Sequence, residues 1–264
     1  GDILTGKGGP SDFLSLGTPV FASDRVAGEM LEIAKDPKVK AVVFRIDSGG
    51  GSAIASDQIW NAVKTLKASG KKVVVSMGSM AASGGYYVAA NADEIIANRS
   101  TITGSIGVFG GKFAVADALR QFGVNPQEVH VGGDFSSAYS SDKFTPAQKA
   151  KLLEGLQAVY DRFTGLVADG RKLPLQKVQE IARGRVWSGE DALKNGLVDK
   201  NGDFIFALEE AARLAGFKPE DGIELHMNIH RTSPFELLTS TMMQAKVAGV
   251  PESMIIDVVG GVGG

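Results

Sequence analysis

The chain has 264 residues, 44% of them hydrophobic, with 28 Lys and Arg against 30 Asp and Glu. That size suits one large domain or two small ones with a well-packed core, and a formal net charge of −2 offers no electrostatic footprint for nucleic acid. The lack of cysteine excludes disulfides, thiolate metal sites and cysteine nucleophiles, while leaving the compartment open.

The opening "GDILTGKGGPSDF" has no initiator methionine and neither the basic nor the apolar region of a secretory leader. It reads as a strand entered partway, which predicts further sequence upstream. Ser23 can cap a helix whose Val26, Met30, Ile33 and Ala34 share a face and which Asp36-Pro37 ends. "VKAVVFRI" (Val39 to Ile46) is a near-continuous apolar run, as in parallel strands covered on both faces. After "DSGGGS" come a helix from Ala53 to Ala68 and a second buried strand, "KKVVVSM". The alternation continues with "DEIIAN", "GSIGVFG", a helix around Ala114 to Gln121 and a strand near "QEVHV". Strands alternating with helices in this way predict right-handed β-α-β units and an α/β fold.

Beyond Thr145 the pattern turns helical. A capping threonine, Pro146 and the apolar positions Leu152, Leu156, Val159, Phe163 and Leu166 predict a long amphipathic helix. Shorter helices are expected at Leu175 to Ala182, Glu190 to Lys194 and Phe204 to Ala215. After Gly216 the signals weaken to a strand ("IELHMNI"), a helix from Pro234 to Ala245 that packs on its own domain, and a disordered "GGVGG". The expected division is a main domain over 1–215 and a carboxyl-terminal extension over 216–264.

Val73 to Ala92 carries no charge at all. About 20 such residues could cross a bilayer as a helix, but the serines, Gly78, Gly84, Gly85 and Asn91 are too polar for lipid. Strand, tight turn and buried helix fit better, with Ser83 at the junction. Two glycine-rich turns, "DSGGGS" (Asp47 to Ser52) and "AASGGYY" (Ala81 to Tyr87), follow buried strands and lead into helices. Ligands gather at the carboxyl ends of parallel strands, so the two turns are expected to share a site. A serine at a helix start, with free N–H groups and the positive end of the dipole beside it, can attack a carbonyl. The amides of Gly84 and Gly50 could then hold the oxyanion. The same glycines and serines also serve as plain helix caps, and neither turn has the spacing of a nucleotide-binding loop. No cofactor is expected.

A nucleophilic serine needs a base. His130, in the strand after the α/β units, would allow a Ser–His–Asp triad. His226 and His230 alternate on one face of a late strand and lack a third metal ligand, so no metal site is expected. A buried lysine of lowered pKa is the other option.

At this point "SMGSMAASGGYYVAANADEIIANRSTITGSIGVFG" resembles the nucleophile region of the signal peptide peptidase A family of serine–lysine proteases. "DPKVKAVVFRIDSGGGS", "RVWSGEDALKNGLVD" and the long helix between them extend the resemblance over most of the chain. It looks most like the carboxyl-terminal half of the long, tandem bacterial form. The resemblance implies the Clp protease and crotonase-like fold, with repeated β-β-α units and a helical second half. Position by position, Ser83 matches the nucleophile, Gly50 the glycine of the oxyanion turn, and Ser105 the serine that holds the lysine amine. Where the family often has Asn-Ser-Pro-Gly-Gly, this chain has Asp47-Ser48-Gly49-Gly50-Gly51.

The family lysine aligns with Phe135 or its neighbour and is absent; Lys143, eight residues on, would require a shifted alignment. In the tandem form the amino-terminal half supplies the lysine and the carboxyl-terminal half the serine. The resemblance therefore implies the serine-bearing half of an endopeptidase that degrades cleaved signal (leader) peptides. It implies a bacterial inner-membrane site facing the periplasm, an anchor in upstream residues, and assembly with a lysine-bearing half or with other subunits of a homo-oligomer. Two alternatives stand beside it: a non-catalytic scaffold half, and a crotonase-like acyl-CoA enzyme whose glycine turn polarises a thioester.

Overall fold

A computed structural model describes residues 1–7, 20–127, 138, 140–218, 222–228 and 255–260. In chain order the first elements are β1 (Asp2–Leu4), β2 (Val20–Ala22), α1 (Ser23–Lys35), β3 (Val39–Ser48), α2 (Ala53–Ala68), β4 (Lys72–Ala82), α3 (Gly84–Ala89), β5 (Glu94–Ala97) and β6 (Ile102–Gly104). Next come α4 (Ala116–Gln121), α5 (Pro146–Arg171), α6 (Leu175–Ile181), β7 (Val186–Ser188), α7 (Gly189–Lys194), β8 (Lys200–Asn201), α8 (Phe204–Leu214), β9 (Glu224–Asn228) and β10 (Ile255–Gly260). The chain divides into two compact units, Gly1–Gly107 with Phe163–Gly264, and Val108–Arg162.

In the first unit, eight strands of the described residues form one mixed sheet, with β7-β6-β4-β3-β10-β9 as neighbours and β5 joining β4 to β8. Every pair is parallel except β6 with β7. β3 and β4 are central, and their β-branched runs are covered completely: Val42, Val43, Val73, Val74 and Val75 have no exposed surface. On one side Ala207 and Ala211 of α8 pack on Ala41, Val43, Val74 and Ile96. Phe21 of β2 stacks on Phe44, with ring centroids 5.9 Å apart. Each large side chain buried here is worth about 1.5 to 3 kcal/mol. Glu210 of α8 is buried against two cations, Lys200 at 2.8 Å and Arg213 at 2.6 Å. Both cations also reach Glu94, so α8 is pinned to β5 and β8.

β3 and β4 lose register between Ile46 and Ser48. The carboxylate of Asp47 fills the irregularity, accepting from Ser79 Oγ at 2.8 Å and from the Met80 N–H at 3.1 Å. A β carbon on Gly78 would lie 2.5 Å from Asp47 Oδ2, so this close approach requires glycine. An irregularity of this kind bends the strand and re-aims the segment beyond it; here that segment is the turn Gly49–Gly51.

The second unit contains α4 and the first part of α5. Thr145 Oγ1 accepts from the Gln148 N–H at 3.2 Å while Gln148 Oε1 accepts from the Thr145 N–H at 3.0 Å, a reciprocal cap that starts α5. The ammonium of Lys112 sits 4.5 Å from the centre of the Phe144 ring. Phe109, Phe113 and Phe122 are 97%, 91% and 83% exposed.

Two expectations need correction. The strand read in "GSIGVFG" ends at Gly104, and Ser105 to Gly110 have no regular structure, because the ladder partner β7 runs only from Val186 to Ser188. The Gly/Val-rich end is not all tail: Ile255–Gly260 is a strand paired in parallel with both β3 and β9. β9 and β10 complete the sheet of the first unit. The Pro234 to Ala245 helix, and the strand near "QEVHV" beyond Gln127, lie outside the described residues. Among the described residues no helix is long and apolar enough to cross a membrane.

Candidate active site

β4 ends at Ala82 and α3 begins at Gly84, so Ser83 alone turns the chain, at φ 52 and ψ −120. A non-glycine residue held there costs on the order of 1 to 3 kcal/mol unless its surroundings enforce it. Here they do. The Ser83 N–H donates to the Gly104 carbonyl at 2.9 Å, and the Ser83 carbonyl accepts from the Tyr87 N–H at 2.9 Å. Tyr86 is fully buried and donates its hydroxyl to the Leu197 carbonyl at 2.8 Å, while Tyr87 donates to Asp57 Oδ1 at 2.5 Å. The helix after Ser83 is thereby anchored on two sides. The Ser83 hydroxyl makes no capping bond to it.

The β4–β6 ladder closes with Ala82 opposite Gly104, so Ser83 and Ser105 are the next residue on each strand. Ser105 is likewise in the left-handed region, at φ 48, and its N–H donates to the Arg185 carbonyl at 2.7 Å. The segment Arg183–Trp187 thus backs the second serine.

The two glycine-rich turns meet through their backbones. Gly50 has φ +109, and a β carbon on it would stand 2.7 Å from the Gly84 nitrogen. One on Gly84 would lie 2.5 Å from Ser56 Oγ, and one on Gly85 2.7 Å from the Ser48 carbonyl oxygen. The turn is also braced from β1: the Ile3 N–H donates to the Gly50 carbonyl and the Ser52 N–H to the Ile3 carbonyl, both at 2.8 Å. The N–H of Gly50 itself donates to Ser48 Oγ at 3.1 Å. Among the described residues no acceptor faces the N–H of Gly51 or of Gly84, and the Gly51 nitrogen lies 3.2 Å from where a β carbon on Gly84 would be. Of the two turn glycines that the resemblance retains, Gly50 has its N–H bonded to Ser48 Oγ and Gly51 does not.

The possible bases are scattered. Lys143 belongs to the second unit, its side chain 79% exposed and paired with Asp117 at 2.9 Å. The hydrogen bond that it donates to Asp117, and the charge of that carboxylate, hold the ammonium above the usual lysine range. That is the opposite of what a neutral base requires. Lys71 is buried, and desolvation pushes its amine down. It donates to the Asp36 and Val39 carbonyls. It also precedes the 11-residue strand β4, which puts it roughly 35 Å from Ser83 at the rise of an extended chain. His226 is exposed on β9 and lies 3.1 Å from Glu224. His130, His230 and Phe135 fall outside the described residues.

Residues 65–218 match peptidase family S49. The chain is 39% identical over 237 residues to Protease 4 of Salmonella typhi, covering 88% of this chain and 37% of that protein. It is 38% identical over 196 residues to a Synechocystis sp. protein, covering 74% of this chain and 70% of that one. The chain belongs to peptidase family S49. A third relative, Serine protease SPPA, chloroplastic, of Arabidopsis thaliana, is 36% identical over 203 residues, 76% of this chain and 30% of that protein. The mixed sheet and its helices are accordingly the Clp protease and crotonase-like α/β architecture expected from the resemblance. The chain spans little more than a third of the Protease 4 length it matches.

Proposed function

We propose that this S49 chain is the serine-bearing half of a serine–lysine endopeptidase that degrades cleaved signal peptides. The observation that carries the reading is the convergence of Ser83, Ser105 and the Gly49–Gly51 turn at one end of β4. Ser83 Oγ attacks the scissile carbonyl while its proton passes to a neutral lysine amine from a partner half or subunit, oriented by Ser105. The amide of Gly84 and one from the turn, Gly50 or Gly51, hold the tetrahedral oxyanion. The lysine returns the proton to the leaving amine, and water then releases the acyl group from Ser83 by the same steps in reverse. The pairing of Lys143 with Asp117 supports a base from elsewhere. Location at the bacterial inner membrane facing the periplasm, anchored by upstream residues, belongs to the same proposal and draws its support from the family resemblance.

The test is fluorophosphonate labelling with the modified residue located by mass spectrometry. Labelling at Ser83 only after a lysine-bearing amino-terminal half is added supports the split site. Labelling of the isolated chain places the base within it or its homo-oligomer. If Ser83→Ala leaves the activity of the full-length protein intact, the scaffold reading replaces this one; thioester turnover would favour the crotonase-like reading.

A further inference from the structure

We infer that the corner Arg183–Trp187 is a positioning element for Ser105, and that Gly107 is the residue that lets it dock. This rests on the reading above, in which Ser105 orients the base. Hydrogen bonds and close approaches tie the corner to Gly104–Gly107. The Arg185 carbonyl accepts from the Ser105 N–H at 2.7 Å, and the Gly184 N–H donates to the Ile106 carbonyl at 2.9 Å. A β carbon on Gly107 would stand 2.9 Å from the Gly184 nitrogen and 3.0 Å from its α carbon. One on Gly104 would lie 2.7 Å from Trp187 Cδ1. The corner has its own anchor: Trp187 Nε1 donates to the Ile181 carbonyl at 3.0 Å, at the end of α6.

The backbone conformations agree with a docked corner. Ser105, Arg183 and Gly184 all lie in the left-handed region, at φ 48, 59 and 71. Two of these are non-glycine residues, and such conformations persist only where neighbouring structure enforces them. The single N–H bond to Arg185 holds Ser105 just past the end of the ladder that sets its distance from Ser83. A displacement of about 1 Å in a positioning group can cost on the order of a hundredfold in rate. Ser105 contributes nothing to substrate burial in this scheme, so its displacement falls on the chemical step and on the proton affinity of the base.

Gly107 has an ordinary backbone conformation, so Gly107→Ala acts only through its new methyl group, which meets backbone atoms that must move. In the full-length protein, we expect kcat for a leader peptide and the rate of Ser83 phosphonylation to fall about tenfold or more. KM should stay within about twofold, and the acid limb of the pH–rate profile should move. The deciding comparison is a double-mutant cycle with Ser105→Ala. If the corner works through Ser105, Gly107→Ala adds little once Ser105 is gone. Trp187→Phe keeps the ring on Gly104 but removes the bond to Ile181, and carries the same cycle should Gly107→Ala fold poorly. Unchanged kcat in both variants, or a full additional loss on top of Ser105→Ala, overturns the inference. If Ser105→Ala alone costs nothing, it is the reading of the site that falls.

Discussion

Gly50 and Ser83 touch so closely that a β carbon on Gly50 would stand 2.8 Å from the Ser83 β carbon. The turn that would polarise the substrate and the serine that would attack it are therefore one packed unit, although they are 33 positions apart in the chain. Gly50→Ala must displace Ser83 or Gly84, and it also places a side chain at φ +109. The expected outcome is a loss of activity on the order of a hundredfold or more, with about 1 to 3 kcal/mol of stability lost. Peptide hydrolysis and urea denaturation of the same preparation read both quantities. A fully active Gly50→Ala enzyme would remove this turn from the mechanism.

Lys143 should be dispensable. Its ammonium is exposed and paired with Asp117, so Lys143→Gln is expected to leave kcat/KM within about twofold, as for a typical surface pair. A drop of several orders of magnitude would identify Lys143 as the base and sink the split-site proposal.

Tyr86 anchors the helix that carries the nucleophile. Burial pushes its phenol well above the usual tyrosine range, so it remains a hydrogen-bond donor to Leu197 at any working pH. Tyr86→Phe leaves the Leu197 carbonyl without that donor, at a cost of about 1 to 3 kcal/mol. For a chain of this size each kcal/mol lowers Tm by about 2 to 4 °C. Differential scanning calorimetry would show it, and an unchanged Tm would mean that α3 is held by packing alone.

Acid should weaken the first unit through Glu210. Burial raises its pKa, but the hydrogen bonds and charges of Lys200 and Arg213 outweigh burial and leave the carboxyl below the usual range. A carboxylate depressed in the folded state stabilises fully above its unfolded pKa, near 4.3, and that contribution is lost as pH falls through the lower folded value. Wild-type stability should therefore decline on going from about pH 5 to pH 3, and Glu210→Gln should flatten that decline. Denaturation midpoints across this range would show equal slopes if the network contributes nothing.

Much of the fold could be read locally. α2 runs from Ala53 to Ala68, as its periodicity predicts, and β3 and β4 are where the β-branched runs lie. Ser105 was legible only through resemblance: "TGSIG" has no feature of its own that marks it as part of a site, and the apolar run around it suggested a longer strand. β10 has no local signature because a six-residue segment near a glycine-rich end gains its stability from β3 and β9, not from itself.

The local geometry of the site follows from short runs of consecutive residues: buried strands, glycine turns able to take positive φ, and a serine between β4 and α3. These depend on the sterics of a few consecutive residues, which composition and spacing record directly. Which groups meet depends on the folded packing. It set Ser105 beside Ser83 through the β4–β6 register, gave the Gly50 amide to Ser48, and paired Lys143 with Asp117. The first and last of these are contacts between residues more than twenty positions apart, and the second depends on how the end of β3 is bent against β4. Long-range hydrogen bonds and charge pairs of this kind are selected by the packing of the whole sheet and its helices, which no local pattern carries.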